Sequence, residues 1–178
     1  NLLMLSTHNI FSPANGSPVI SPSQDIVLGV YFITVMPADA ETDPTKLPHF
    51  KDSAEAFLAY DLDKIKIHDA ILVRPKRGRW TQVVTGQTDA PAPMPANGRL
   101  ITTIGRIMLN DILHQGLPYF NCSLGKKGCS RVIDDTYAIA GRPATIDILD
   151  SLKAIGFRES TTAGLSFGVT DLRIPARK

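Results

Sequence analysis

The chain has 178 residues, 43% of them hydrophobic and 20% charged, with a formal net charge of +2. That composition belongs to a folded domain with a real core and excludes a disordered tail or a low-complexity linker. No apolar run reaches the ~18 residues of a membrane span, and the N-terminus lacks the basic stretch that opens a signal peptide. The charge is unevenly spread. Residues 1–45 contain no Lys or Arg and four acids, Asp25, Asp39, Glu41 and Asp43, so the 19 basic residues and the other 13 acids give residues 46–178 a charge of +6. Such a bias suits both ordinary solvated faces and a phosphate-handling surface. The chain opens Asn1-Leu2-Leu3-Met4 and reads as cut from a longer one.

Residues 1–6 read as the end of a helix, followed by a turn-rich stretch from Asn9 to Pro18, where Pro, Asn and Gly favour tight turns. Val19-Ile20 is a short strand candidate. At Ile26 to Val35 the signals conflict. Ser23 is a good N-cap and Asp25 would sit in the first helical turn, but the run itself is β-branched and aromatic. Residues 37–48 read as a Pro-rich, acidic loop.

Asp52 to Tyr60 has helical spacing in Ala56, Phe57 and Tyr60. Lys64 to Arg74 and Arg79 to Thr85 read as two strands joined by the turn Pro75-Lys76-Arg77-Gly78, hence a hairpin. Asp89 to Gly98 is irregular, and Arg99 to Thr103 is a third strand. Ile104 to Leu113 is a helix ended by Gly116 and Pro118. Ser123 is a cap candidate for a helix to Ala140, with Cys129, Val132, Ile133, Thr136, Tyr137 and Ala140 inward and Gly141 just past its end. Thr145 is the cap candidate for the next, with Ile148, Leu149, Leu152 and Ile155 inward and Gly156 ending it. A last short helix follows from Phe157 to Leu165. The class is α+β, short helices around a small antiparallel sheet.

No catalytic centre emerges from the residues themselves. Cys122 and Cys129 have a spacing that fits no standard zinc pattern, and His8, His49, His68 and His114 are scattered, so both cysteines read as buried thiols of a reducing compartment. Gly164-Leu165-Ser166-Phe167-Gly168 matches the nucleophile-elbow pattern but lacks its preceding strand and a nearby histidine, which favours a structural turn. Gly125-Lys126-Lys127-Gly128 lacks the phosphate-loop frame. Its lysines at a helix start suit an external anion or acidic partner, or simply a solvated surface. Arg74, Lys76, Arg77 and Arg79 form the densest basic cluster, either a charged hairpin tip or a phosphate contact. Asp134 and Asp135 point ~100° apart on a helix and make no dyad by spacing alone.

Five ordered blocks carry a resemblance. They are Met4 to Gly16, Pro22 to Tyr31, Ile104 to Ile107 with Gly116 to Tyr119, Leu124 to Lys127 with Ser130 to Tyr137, and Gly156-Phe157 with Ala163 to Pro175. Together they are similar to the largest (beta-prime type) subunit of multisubunit DNA-directed RNA polymerases, closest to the bacterial type. Only 36–64 and 75–98 look variable between lineages.

The resemblance implies a fragment of a larger multidomain subunit. Residues 1–35 would be the end of the active-site double-psi barrel region and its following helix. Residues 36–178 would be the pore or funnel domain, with a strand-rich part at about 64–103 and a helical part at about 104–166. The family's Mg²⁺-holding loop, "NADFDGDQ", lies upstream, so the metal of the whole enzyme would have its ligands outside this chain, and the isolated fragment would be inactive. The function implied is a segment lining the secondary channel in DNA-templated RNA synthesis; the alternative is a non-catalytic interaction module built on the same domain.

Asn9, Ser12, Asn15, Gln24 and Asp25 would then lie near the nucleotide or RNA 3′ end, Gln24 lining the pore, and Gln24 to Thr34 should be helical. Lys126, Lys127, Arg131, Asp134 and Tyr137 would face other subunits, the small omega subunit in particular. The implied partners are the beta, alpha and omega subunits, the DNA template, the RNA transcript and nucleoside triphosphates, with no membrane and a cytoplasmic, nucleoid-associated setting. Departures from the family pattern are His8, Thr170 and Cys129.

Overall fold

The structure, a computed structural model, describes residues 10–12, 14, 18–37, 40, 43–75, 80–95 and 97–165. Four helices and six short strands follow in the order α1 (Gln24–Thr34), β1 (His49–Phe50), α2 (Ser53–Asp61), β2 (Ile71–Val73), β3 (Gln82–Val84), β4 (Ala92–Pro93), β5 (Leu100–Thr102), α3 (Ile104–Ile112), β6 (Tyr119–Phe120) and α4 (Lys126–Ala163).

The class is α+β as expected, but the sheet is not single and not purely antiparallel. Two three-stranded sheets form, ordered β1-β2-β5 and β4-β3-β6. In each, the central strand has one parallel and one antiparallel neighbour: β2 runs parallel to β1 and antiparallel to β5, while β3 runs antiparallel to β4 and parallel to β6. The expected hairpin between Lys64–Arg74 and Arg79–Thr85 therefore does not exist, because its two strands belong to different sheets. Residues 64–68, whose Ile65 and Ile67 suggested alternation, form bends and a turn instead. Ile65 is buried against α2 and α3 rather than on a strand face.

The three edge strands missed in the sequence, β1, β4 and β6, are each two residues long, too short to show a period of two. β6 is held by a side chain. Asn110 Oδ1 accepts from Phe120 N at 2.8 Å and its Nδ2 donates to Phe120 O at 2.9 Å, so one buried amide pairs with the strand as a neighbouring backbone would.

α2 and α3 start within a residue of the expected positions, and each has a side-chain cap that the sequence reading did not name. Asp52 accepts from Glu55 N, and Thr103 accepts from Arg106 N. α4 departs from expectation. Its N-cap is Gly125, not Ser123, and the helix does not end at Gly156 but runs on to Ala163. Gly141 breaks it into two arms, with φ 73° and ψ −168°, a conformation open in practice only to glycine. Thr145 does not cap the second arm; its hydroxyl donates back to Gly141 O at 2.9 Å, and Pro143 occupies the first turn, where a missing N–H costs nothing.

The main core joins α1 (Val30, Ile33), α3 (Leu109, Leu113) and both arms of α4 (Cys129, Val132, Ile133, then Ile148, Leu152, Ile155). A second cluster packs β2 against α2 and α3 through Ala56, Ile71, Val73, Ile104 and Ile107. Trp80, Val83, Leu100 and Tyr119 form a third.

Candidate functional site

α1 is helical over Gln24–Thr34, against its own β-branched composition. Tertiary packing decides: Val30 and Ile33 are fully buried in the main core. The helix is seated by backbone contact. A Cβ on Gly29 would lie 1.9 Å from Gly156 O, and one on Gly105 would lie 1.9 Å from Ile33 O. α4 thus touches the middle of α1, and α3 its C-terminal end.

That C-terminal end is also pinned by hydrogen bonds. Thr34 O accepts from Arg106 Nε at 2.9 Å and from Ser123 Oγ at 3.4 Å, while Thr34 Oγ1 accepts from Leu124 N at 2.9 Å. Arg106 also donates Nη1 to Asn121 O and Oδ1, each at 3.2 Å. It is a buried arginine answered by neutral oxygens, and burial lowers its pKa from the usual range. The charge nevertheless persists, since arginine does not deprotonate in proteins.

The N-terminal end of α1 is different. Ser23 occupies the N-cap but makes no side-chain cap bond, and Gln24 and Asp25 are exposed. Gln24 has φ +49°. A left-handed backbone in a residue with a Cβ is uncommon and costs of order 1 kcal/mol or more, and such outliers gather at functional sites. Just before it, Val19 N donates to Ile10 O at 2.8 Å, and Phe11 and Pro18 form an antiparallel bridge. Ile10, Ser21, Ser23 and Ile26 share a groove of about 300 Å³ with Leu149 and Lys153 of α4. Residues 10–12 and the start of α1 therefore adjoin. Ser12 follows the bridge at Phe11, and its Oγ accepts from Ala14 N at 3.3 Å. Asn9 and Asn15 lie outside the described residues, as do Ser166, His8 and Thr170.

The second set of predicted residues lies on the first arm of α4. Lys126 and Lys127 are exposed in its first turn. Lys127, Arg131 and Asp134 fall at i, i+4 and i+7, close to one stripe. Arg131 turns inward for part of its bonding: Nη1 donates to Gln87 O at 3.0 Å, and Nε stands 3.4 Å from Asp135. Asp134 is exposed; partial desolvation, and secondarily Asp135, raise its pKa. Tyr137 packs on Phe11 with ring centroids 5.2 Å apart, and Arg142 covers Phe11 at 5.1 Å from its centroid. Phe11, next to Ser12, is thereby held from both sides of the Gly141 break.

Arg74 donates to Asn97 O at 2.7 Å, while residues 76–79, the rest of the basic cluster, lie outside the described residues. Cys122 and Cys129 are free and buried. Among the described residues no group of three or more His, Cys, Asp or Glu is placed to hold a metal ion. No helix of the described residues is long and apolar enough to cross a membrane.

Sequence reasoning did not single out Arg106, Asn110, Gly29 or Gly105, and it read Gly156 as a helix end. The available signal was a glycine inside an apolar helical run, which can mark close packing as well as a helix end.

A family model described as RNA polymerase Rpb1, domain 3, matches residues 9–172. DNA-directed RNA polymerase subunit beta′ of Pelotomaculum thermopropionicum is 39% identical over 177 residues, which cover 99% of this chain and 13% of that relative. The subunit of the same name from Methylacidiphilum infernorum is 39% identical over 180 residues, covering 99% and 12%. That of Aquifex aeolicus is 37% identical over 177, covering 99% and 10%. The chain thus spans between 10% and 13% of the length of these relatives.

Proposed function

The chain belongs to the RNA polymerase Rpb1 domain 3 family, and on that premise we propose that it serves DNA-templated RNA synthesis as the part of a beta-prime subunit that lines the secondary channel beside the active site. The reaction of such an enzyme is nucleotidyl transfer. The RNA 3′-hydroxyl attacks the α-phosphate of a nucleoside triphosphate, and metal ions clamp the attacking and leaving oxygens. The metal-holding acids belong to another segment of the subunit, so this segment's share is placement and access.

The observation that carries the reading is the left-handed φ of +49° at Gln24, exposed at the start of α1. Its amide offers donors and an acceptor to a phosphate, sugar or base edge of the RNA 3′ end. The first N–H groups of α1 add a partial positive charge beside it. On the first arm of α4, the exposed Lys126 and Lys127 and the carboxylate of Asp134 face neighbouring subunits, omega among them.

The test is Gln24→Ala in reconstituted whole polymerase. The expected result is altered pausing and altered cleavage of backtracked transcripts, with normal subunit assembly. Normal elongation together with normal transcript cleavage would overturn the pore role.

A further inference from the structure

We infer that Gly29 and Gly156 are positioning residues: their backbone contact sets where the start of α1, and with it Gln24, stands. The inference rests on the pore role of Gln24 and deepens it. The geometry is that of a lever. The C-terminal end of α1 is the fixed end, because Thr34 is bonded by Arg106, Ser123 and Leu124, and Gly105 closes on Ile33 O. The N-terminal end has no such anchor: it lacks a side-chain cap, and Gln24 and Asp25 are exposed. Between them, α4 bears on α1 at a contact made chiefly of backbone, with the Ile26 side chain beside it. A Cβ on Gly29 would lie 1.9 Å from Gly156 O, and a Cβ on Gly156 would lie 2.6 Å from Ile26 O.

Any methyl inserted there must push the helices apart, and the fixed end dictates how the displacement is distributed. At a rise of 1.5 Å per residue, Gly29 stands about 7.5 Å from Thr34, Ile26 about 12 Å and Gln24 about 15 Å. Restoring ordinary contact for Gly29→Ala needs about 1.5 Å of separation, which rotation about Thr34 turns into about 3 Å at Gln24. Gly156→Ala needs less than about 1 Å and moves Gln24 by about 1 Å. A side chain handling a reacting end tolerates little of this, since a misplacement of about 1 Å can cost up to about a hundredfold.

The experiment uses whole reconstituted polymerase carrying Gly156→Ala, Gly29→Ala, Gln24→Ala and the Gln24→Ala/Gly156→Ala double variant, with Gly125→Ala as control. At Gly125 an added methyl meets nothing closer than 3.7 Å. The probes are stalled complexes on a defined nucleic-acid scaffold, one set backtracked and one with the RNA 3′ end in register. Gly156→Ala should change cleavage in backtracked complexes by about tenfold or more, Gly29→Ala by more than that, and the control by less than about twofold. Subunit retention should stay unchanged in Gly156→Ala.

The double variant should match Gln24→Ala alone, because a residue acting through another adds nothing once that other is gone. Additive effects, or a Gly156→Ala enzyme that cleaves as wild type while Gln24→Ala does not, would overturn the lever and leave the pore role standing. A silent Gln24→Ala would overturn both. Should Gly29→Ala fail to assemble, Gly156→Ala decides; if both fail, the contact is a folding requirement and the positioning claim falls.

Discussion

Arg106 Nε donates to the carbonyl oxygen of Thr34 at 2.9 Å, joining two residues 72 positions apart in the chain. The same guanidinium reaches Asn121 twice. It ties the end of α1, the start of α3 and the segment before α4 to one rigid, planar group. Lysine cannot reproduce that, because a single ammonium has no fork to divide between two sites. Arg106→Lys should therefore leave buried acceptors unsatisfied and destabilise the 178-residue chain by about 3 kcal/mol. The check is a denaturant titration, in which the midpoint should fall while the slope stays unchanged.

Asn110 supports β6 from a helix. Its amide satisfies both backbone groups of Phe120, and Nδ2 also donates to Arg106 O at 2.8 Å. Asn110→Ala should destabilise by about 2–3 kcal/mol, since the Phe120 groups are buried with no water to replace the amide. Hydrogen exchange reads the locality: the Phe120 amide should lose protection first and by more than those of β2. Equal loss across both sheets would contradict the local role.

Gly141 and Gly164 both have positive φ, at 73° and 58°, and nothing lies within 4 Å of a Cβ added at either. Any cost of substitution is thus a backbone cost. Gly164, with ψ 39°, is an ordinary left-handed helix cap, a place asparagine fills well. Gly141, with ψ −168°, lies where asparagine gains nothing. Gly164→Asn should be near neutral, whereas Gly141→Asn and Gly141→Ala should each cost about 1–3 kcal/mol. Thermal unfolding of the four variants, Gly164→Ala included, checks the ordering.

What the sequence showed and what it hid divide along physical lines. α2 and α3 were placed to within a residue, because the spacing of Ala56, Phe57 and Tyr60 and the Gly116 and Pro118 stop are local signals. The caps read at Ser123 and Thr145, by contrast, are not the ones α4 uses. The inward stripe of α4 was legible in Cys129, Val132, Ile133 and Thr136, all buried, because the period of 3.6 is written into one stretch. α1 was undecided from its own residues; the resemblance to the polymerase family pointed to helix, and burial of Val30 and Ile33 against distant elements is the physical reason. The strand partners were hidden altogether: β2 and β3 are neighbours in sequence but pair with β1 and β5 in one case and with β4 and β6 in the other. Non-local pairing leaves no mark on a short strand. The positive φ of Gln24 and the contact of Gly29 with Gly156 were equally invisible, since each is imposed by tertiary structure.

Cys129 is fully buried on the inner face of α4, and burial pushes its thiol up to about 11 from an ordinary 9.0. Burial raises Cys122 as well. The thiolate is the reactive form, so both should resist alkylation in the folded chain at pH 8. The linkage has a definite sign. The unfolded chain gives up the Cys129 proton near pH 9 while the fold still holds it, so the unfolded state binds fewer protons and stability falls as pH rises from about 9 to about 11. Over that window the loss from this one group is on the order of 2 kcal/mol. Cys129→Ala removes the titrating group and should flatten that part of the stability–pH curve while costing about 1 kcal/mol at pH 7 for the small cavity it leaves. Iodoacetamide labelling at pH 8 across a urea titration provides the direct reading: modification of both thiols should track global unfolding, and rapid labelling of Cys129 in the absence of urea would show that α4 opens locally at its first arm.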